Sequence, residues 1–499
     1  VNIDELYLDL LVASRSLEAL DEAGYFSSGR VNDQSLLYYM TPIHLIKEAK
    51  EKDVSVLFYT GCFAPIHEGH VNVMRIAKET IEERTGEKVV AGFFSPDHDD
   101  YVLEKVKNPL YSSENRIEIL NKFISDEDWL EVDPWASRYS GVNLNFTELY
   151  LRFVDYVKEF ASEKNVKVYY VFGGDNYLFA NAFVKRGHAV CVLRPETNVD
   201  FSKIFDSALE RVLFSSKESS PHSSTEIRRQ IEDELKIESR EKEGMTYYLR
   251  DDLEFSLHPQ LLKEAKNVSS QIKELVTENI PSYLNVEVHS AIEQKVETDL
   301  QTISLDTIFE GDYKLNLSRV FYPSSFQEYS KEFTHRPGSE EFKQQLKKIP
   351  EGSYTLVDDD ISTGSTMNYA EELLSTRGIS IKKRESLIKS HEKLYDVVDM
   401  RDFILGSKNG GLTVKLGEKI TRVPYMFPFV NPVTRAKIEP SRARDFSRDM
   451  WLINFHLFLD TDLTLYDLIE EQDFRMFGVT YNMKVSDFCL FMASILKPL

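Results

Sequence analysis

The stretch Gly61-Cys62-Phe63-Ala64-Pro65-Ile66-His67-Glu68-Gly69-His70 constrains the fold more than any other part of the chain. An apolar run, Val54-Ser55-Val56-Leu57-Phe58-Tyr59, leads into it and reads as a buried strand. An amphipathic run leads out, with Val71, Met74, Ala77 and Ile81 at helical spacing. A strand that turns straight into a helix belongs at the edge of an open α/β sheet, where such folds bind ligands. Gly61 and Gly69 let the backbone approach a ligand closely, and His67 and His70 stand where the helix begins. A helix N-terminus offers unpaired amides and the positive end of a dipole, which suits a phosphate.

The same alternation continues downstream. Residues 88–94, 166–172, 188–193 and 211–214 read as further strands, with helical patterns between them. This predicts a parallel sheet with right-handed crossovers over residues 53–258. Residues 1–52 read as a helical N-terminal extension and residues 259–282 as a polar linker helix, after a charged, loop-like run from Glu238 to Gly244. A second α/β pattern occupies residues 283–438, with strands at 353–357 and 412–416, and residues 439–499 read as helices. The fold class is therefore α/β, two such domains with helical N- and C-terminal extensions.

Composition narrows the function classes. The formal net charge of −22 argues against a nucleic-acid-binding surface, which needs a basic face. Cys62, Cys191 and Cys489 are widely spaced and form no metal-ligand pattern, which suits a reducing cytosol. No apolar run reaches membrane-spanning length. The expectation is a cytoplasmic protein with no membrane and no nucleic-acid partner. The helical ends are candidates for docking on other chains, and a homo-oligomer is compatible with them.

The pattern Gly-x-Phe-x-Pro-x-His-x-Gly-His resembles the signature of the cytidylyltransferase-like nucleotidyltransferases. The resemblance implies a Rossmann-like domain in which His67 and His70 contact nucleotide phosphates while attack at the α-phosphorus expels pyrophosphate. A second motif, His222-Ser223-Ser224-Thr225-Glu226-Ile227-Arg228, resembles that family's Ile-Ser-Ser-Thr-x-Ile-Arg, with His222 in place of isoleucine. It implies that Ser223, Ser224 and Thr225 hold the triphosphate while Arg228 neutralises its far end. Read alone, Ser-Ser-Thr-Glu is also an ordinary helix N-cap.

Further features are similar to one branch, the nicotinamide/nicotinate mononucleotide adenylyltransferases. Lys105 and Lys107 lie in a basic loop, Arg116 on the helix after it, and Asp133-Pro134-Trp135 resembles a segment whose Trp stacks on the pyridine ring. Thr147 opens a helix, Gly173-Gly174-Asp175 ends a strand facing the nucleotides, and Arg194 follows the next strand. Tyr248-Leu249-Arg250-Asp251 resembles the closing Tyr-Leu-Val-Pro-Asp. The resemblance implies His67, His70, Lys105 and Arg228 as catalytic residues. It implies Gly61, Phe63, Gly69, Gly173, Asp175, Arg194 and Ser223 to Thr225 as nucleotide contacts, and Trp135 and Thr147 as acceptor contacts. The substrates would be ATP and a mononucleotide acceptor. Mg²⁺ would be the cofactor, carried by the phosphates with no protein metal ligand assigned.

In the second domain, Tyr354 to Thr366 resembles the PRPP-binding motif of type I phosphoribosyltransferases. It implies that Asp358 and Asp359 bind ribose hydroxyls, directly or through Mg²⁺. Ser362, Thr363, Gly364, Ser365 and Thr366 would cradle a 5-phosphate of PRPP or another ribose 5-phosphate compound. Candidates for a pyrophosphate loop are His335-Arg336-Pro337-Gly338-Ser339 and Arg319; Arg401, Asp402 and Gly410-Gly411 are placed by position beside a base pocket. Three readings stay open: two linked activities in an NAD-type salvage path, a nucleotidyltransferase for another phosphorylated acceptor with a PRPP-sensing domain, and a non-enzymatic assembly protein.

Overall fold

The computed structural model describes residues 41–138, 143–219, 224–290, 296–321, 328–360, 364–388, 393–416, 419–468 and 482–496. The chain divides into two compact units, 1–233 and 234–499.

The first unit is built on six strands: β1 (Asp53–Gly61), β2 (Val89–Pro96), β3 (Leu130–Val132), β4 (Asn165–Gly173), β5 (His188–Leu193) and β6 (Val212–Glu218). They form one sheet in the order β3-β2-β1-β4-β5-β6, and every pairing is parallel. The short β3 has no signal in the sequence long enough to read. Both faces are covered, which is why the strand sequences are apolar runs rather than alternations. One face buries Val56, Phe58, Phe93, Val168 and Tyr170 against Leu149 and Phe153 of the helix Phe146–Phe160. The other buries Leu57, Tyr59, Phe94 and Val171 against Val71, Met74, Ala77 and Ile81 of α1 (Glu68–Thr85). The chain leaves β1 in one direction towards β2 and β3 and returns on its other side as β4. The reversal opens a crevice at the carboxyl ends of β1 and β4.

Most of the expected N-terminal extension, residues 1–40, lies outside the described residues. Its end is on the sheet: Ile46, in the short helix His44–Glu48, joins the core that holds β1.

The second unit contains three sheets. In the first, β10 (Tyr313–Lys314), β9 (Thr302–Ser304), β13 (Gly352–Asp358) and β14 (Ile379–Ser386) lie side by side in that order, all parallel. The second has the order β12 (Glu328–His335), β11 (Leu317–Phe321), β16 (Leu412–Leu416), β17 (Lys419–Val423). The third places β7 (Thr246–Arg250) between β15 (Leu394–Asp399) and β8 (Asn285–His289). The Tyr248-Leu249-Arg250 segment, expected to close the first domain, therefore falls in the second unit, where parallel neighbours on both sides satisfy its backbone. The helix Ala265–Asn279 buries Ala265, Val268, Ile272 and Val276. The run from Glu238 continues a helix that begins at Ser224 and extends to Glu241, so only its last residues turn. The helices Ala443–Phe458 and Val485–Ile495 follow the C-terminal expectation, with Trp451 edge-on to Phe488 at 6.0 Å. No helix among the described residues is long and apolar enough to cross a membrane.

Candidate active site

A cavity of about 510 Å³ opens in the first unit's crevice. Gly61 ends β1 beneath it, and a Cβ there would lie 3.0 Å from the Phe63 ring tip. Phe63 turns back over Gly61 with φ of +43°, a conformation that bulky residues rarely adopt. Its ring is held edge-on by Tyr59, Phe94 and His70 at 5.4, 5.2 and 5.1 Å. Those three contacts offset the backbone strain, which concentrates at functional turns.

His67 stands at the N-cap of α1 and His70 one turn inside it. The His67 backbone N–H donates to His70 Nδ1 at 3.2 Å. An amide N–H can only donate, so Nδ1 accepts, and a neutral His70 carries its proton on Nε2. The two rings lie 3.8 Å apart, and His70 forms part of the cavity wall. His67 is buried behind it and does not line the cavity. Gly69 is buried in the first turn of α1.

The second motif folds back onto this turn. Ser224 opens the helix Ser224–Glu241, whereas Ser223 lies outside the described residues. Arg228 donates from Nη1 to the Ala64 carbonyl at 2.7 Å and from Nη2 to Thr225 Oγ1 at 3.1 Å. Thr225, Arg228 and Lys105 all line the cavity. At the carboxyl ends of β4 and β5, Gly173, Asp175 and Arg194 line it as well. Arg194 Nη1 donates to Asp175 Oδ2 at 2.7 Å, and Thr197 Oγ1 to Asp175 Oδ1 at 2.9 Å. The pair is about half exposed, so it organises the rim more than it stabilises the fold.

Arg116 has a different role from its neighbours. Its side chain is wholly buried. It donates to the carbonyls of Tyr111, Cys62 and Asp97 at 2.8, 2.8 and 2.6 Å, and to Asp99 Oδ1 at 3.1 Å. It thus ties the Cys62 turn to the exit of β2, where the Asp97 N–H also donates to the Gly61 carbonyl at 2.8 Å. Burial and then the charge of Asp97 push the Cys62 thiol up to about 12, so it is protonated and no nucleophile. Burial likewise raises the Asp97 carboxyl, against the opposing pull of Arg116.

Trp135 and Thr147 are the corrections in the acceptor site. Trp135 is 0% exposed and does not line the cavity. Its ring lies under Arg152 at 4.5 Å, and Arg152 pairs with buried Asp133 at 3.1 Å and bonds Thr41 Oγ1 at 2.8 Å. An ion pair sealed this way holds the ring in the core. Thr147 is also 0% exposed, and its Oγ1 donates to Asn145 Oδ1 at 2.5 Å. The helix N-cap is Asn145, which exchanges bonds with Glu148 in a capping box. Flat apolar surface on the cavity wall comes instead from Tyr59, Phe146, Tyr170, Phe172 and Phe179. Phe146 stacks on Phe179 at 4.2 Å. Sequence reasoning passed over these rings because each sits in an apolar run that also reads as core.

For magnesium, the described residues hold no cluster of three or more His, Cys, Asp or Glu suited to a metal ion. Of the two wall carboxyls, Asp175 is held by Arg194 and Thr197, and the buried Asp97 lies beside the Cys62 thiol. This donor set fits an ion that keeps its water and rides on phosphate oxygens, as Mg²⁺ does in nucleotide sites.

In the second unit, β13 ends at Asp358 and Asp359 follows it. Burial raises both carboxyls, and their mutual charge raises Asp358 further. Gly364 stands at the N-cap of the helix Ser365–Ser375 with φ of +74°, which permits the sharp entry. Ser365 and Thr366 form that helix's first turn, and Arg319 bonds Ser365 Oγ. Ser362 and Thr363 lie outside the described residues.

A six-stranded parallel sheet in this order, with a glycine–histidine turn at its switch point, defines a class of nucleotide-handling domain. Residues 58–230 match the cytidylyltransferase-like family. Over shorter stretches the chain is similar to named relatives. It is 32% identical over 80 residues to nicotinamide/nicotinic acid mononucleotide adenylyltransferase 2 of Xenopus tropicalis, covering 16% of this chain and 25% of that protein. It is 37% identical over 94 residues to the nicotinamide/nicotinic acid mononucleotide adenylyltransferase of Schizosaccharomyces pombe, covering 19% and 24%. It is 31% identical over 100 residues to that of Arabidopsis thaliana, covering 20% and 40%. The chain thus spans between 24% and 40% of the length of these relatives.

Proposed function

We propose that the first unit is an adenylyltransferase that transfers AMP from ATP to nicotinamide or nicotinic acid mononucleotide and releases pyrophosphate, in NAD-type salvage or synthesis in the cytoplasm. The observation that carries this reading is the Arg228–Ala64 bond, which joins the Thr225–Arg228 motif to the His67–His70 turn. The names of the relatives supply the acceptor. The acceptor's phosphate oxygen forms a bond to the α-phosphorus as the bond to the β-phosphate oxygen breaks. That oxygen is already ionised, so no general base is required. The protein's part is positioning and charge stabilisation. His70 donates from Nε2, while Lys105 and Arg228 supply positive charge. Mg²⁺ bound to the triphosphate would add charge neutralisation. Phe179, half-buried and backed by Phe146 at 4.2 Å, offers a face for a flat base.

The test is pyrophosphate release by the full chain with ATP, Mg²⁺ and either mononucleotide. Release with both substrates and none without the acceptor supports the reading. Release with a different phosphorylated acceptor alone supports the reading as a nucleotidyltransferase for another acceptor.

For the second unit, we propose binding of PRPP or a related ribose 5-phosphate compound at the Asp358–Thr366 turn. It is supported by the carboxyl pair at a strand end followed by the glycine entry into a helix, where amides suit a phosphate. PRPP should raise the melting temperature of the full chain. The Asp358→Asn, Asp359→Asn double variant should lose that rise; an unchanged rise refutes the site.

A further inference from the structure

A second cavity, of about 910 Å³, lies in the second unit. Two arginines, Arg336 and Arg422, stand in its wall. Arg422 is anchored by backbone alone. Its Nε donates to the Gly410 carbonyl at 2.6 Å, and its Nη2 to those of Asn409 and Gly411 at 2.8 and 3.0 Å. Arg336 Nη2 donates to the carbonyls of Leu305 and Leu317 at 3.3 and 3.2 Å. On each arginine, Nη1 is buried without a hydrogen-bond partner among the described residues.

Carbonyls orient a guanidinium but do not neutralise it. Among the described residues, no carboxylate forms an ion pair with either arginine, whereas Arg250 and Arg401 in the same unit are paired with aspartates. Burial and then the neighbouring charge of Arg336 push Arg422 down to about 10. Asp402 is the carboxyl that counters this most. It is itself pushed up to about 7 by burial and by Asp399, and its Oδ1 accepts from the Gly411 N–H at 2.8 Å. Asp358, Asp306 and Asp359 offset Arg336 in part without forming an ion pair with it, so two half-buried like charges, each with a buried donor left over, remain costly and would be relieved by an anion between them.

The Asn409–Gly411 strap that anchors the Arg422 guanidinium is built to hold its place. A Cβ on Gly410 would lie 2.2 Å from the Arg401 carbonyl, and one on Gly411 2.5 Å from the Val423 carbonyl. The rest of the wall is partly apolar, with Pro337, Ile404, Ile420 and Pro424. A site of convergent charge within an apolar wall selects an organic ligand with one charged end.

We infer that this cavity binds a small organic acid, its carboxylate or phosphate held between Arg336 and Arg422 and its body against the apolar wall. The cavity wall includes the His335–Ser339 loop and Gly410-Gly411, and Asp358 is the carboxyl that most supports the charge of Arg336, so the inference rests on and deepens the ribose 5-phosphate reading of the second unit; an organic-acid response that persists in the Asp358→Asn, Asp359→Asn variant tells the two apart.

The test is the melting temperature of the full chain, with isothermal titration as a direct measure of binding. The probes are benzoate and nicotinate as carboxylates, phenyl phosphate as an organic phosphate, nicotinamide as a neutral analogue, and inorganic phosphate and pyrophosphate as bare anions. A saturable rise with a carboxylate or with phenyl phosphate, absent with nicotinamide, is the expected result, and the two arms tell carboxylate from phosphate. Arg336→Gln and Arg422→Lys should each abolish it; both variants are melted without ligand, and titration is confined to those that keep a cooperative transition. An equal response to nicotinamide, a response to inorganic anions only, no response to any probe, or binding that survives in a folded Arg336→Gln variant overturns the inference.

Discussion

The bond from the His67 N–H to His70 Nδ1 gives the two nitrogens of one ring separate duties, and substitution can separate them. Asparagine at 70 places an amide oxygen near the position of Nδ1, so it preserves the acceptor for the His67 N–H and removes the donor at Nε2. Glutamine reaches the Nε2 position with an amide N–H and leaves the His67 N–H without its partner. The capping bond is a single neutral hydrogen bond of 3.2 Å, and such bonds contribute about 0.5–1.5 kcal/mol. A donor aimed at developing transition-state charge in a sheltered site is worth about 10²–10³ in kcat, or about 2.7–4 kcal/mol. His70→Asn should therefore melt close to the parent protein and lose about 10²–10³ in kcat for pyrophosphate release. His70→Gln should melt lower by the cost of the capping bond and retain the greater share of activity. Pyrophosphate release at saturating ATP and mononucleotide, with melting temperatures measured on the same preparations, reads both quantities. If the asparagine variant keeps parental kcat, or if the glutamine variant is the less active of the two, the assigned proton position is wrong.

Other parts of the structure yield further expectations. Arg116→Met removes four buried bonds and leaves three carbonyls unpaired, so it should cost roughly 3–5 kcal/mol. By calorimetry, a melting temperature for the first unit within a degree or so of the parent would rule out the positioning role. His188 is held down to about 4 by burial and then by the positive charges of Lys167 and Arg211. Its folded pKa lies below its unfolded value, so between about pH 6.5 and 4 the unfolded chain binds the extra proton and stability falls as pH falls. Urea midpoints at pH 7.5 and 5 should converge in His188→Gln relative to the parent, and an equal fall in both proteins would remove His188 as a source. Gly61→Ala should lower both stability and activity, because the new Cβ meets the Phe63 ring at 3.0 Å; unchanged melting and turnover would show that the ring yields freely.

The glycine–histidine turn was legible because its pattern is local. Strand, glycine, histidines and helix follow one another within ten or so residues, and each residue type has one conformational use there. The second motif was legible for the same reason, and Arg228 then meets Ala64 across the fold. Trp135 was not legible, since its place depends on Arg152 and, through Asp133, on Thr41, 92 residues before it. A tryptophan in a loop-like segment looks the same whether it faces a ligand or an arginine from the core. The strand at 246–250 shows the same gap in another form. An apolar run announces a strand, but which sheet receives it is decided by partners such as β15, distant in sequence. Arg336 was legible as part of the basic loop His335–Ser339, a candidate for holding pyrophosphate, whereas Arg422 carries no local signal. Their significance lies in what fails to neutralise them, and spacing carries no record of that.

The Arg228–Ala64 bond also has a meaning in time. The two residues are 164 positions apart. During synthesis at about 5–20 residues per second, the segment carrying Arg228 emerges roughly 8–30 s after the turn it completes. All six strands of the sheet precede it, so the nascent sheet can form and pack before the helix that carries Arg228 exists. A nascent chain that ends at β6 has every strand of the crevice but not the arginine that meets Ala64. On the function proposed above, nucleotide would gain its full grip only after the last strand has been laid down.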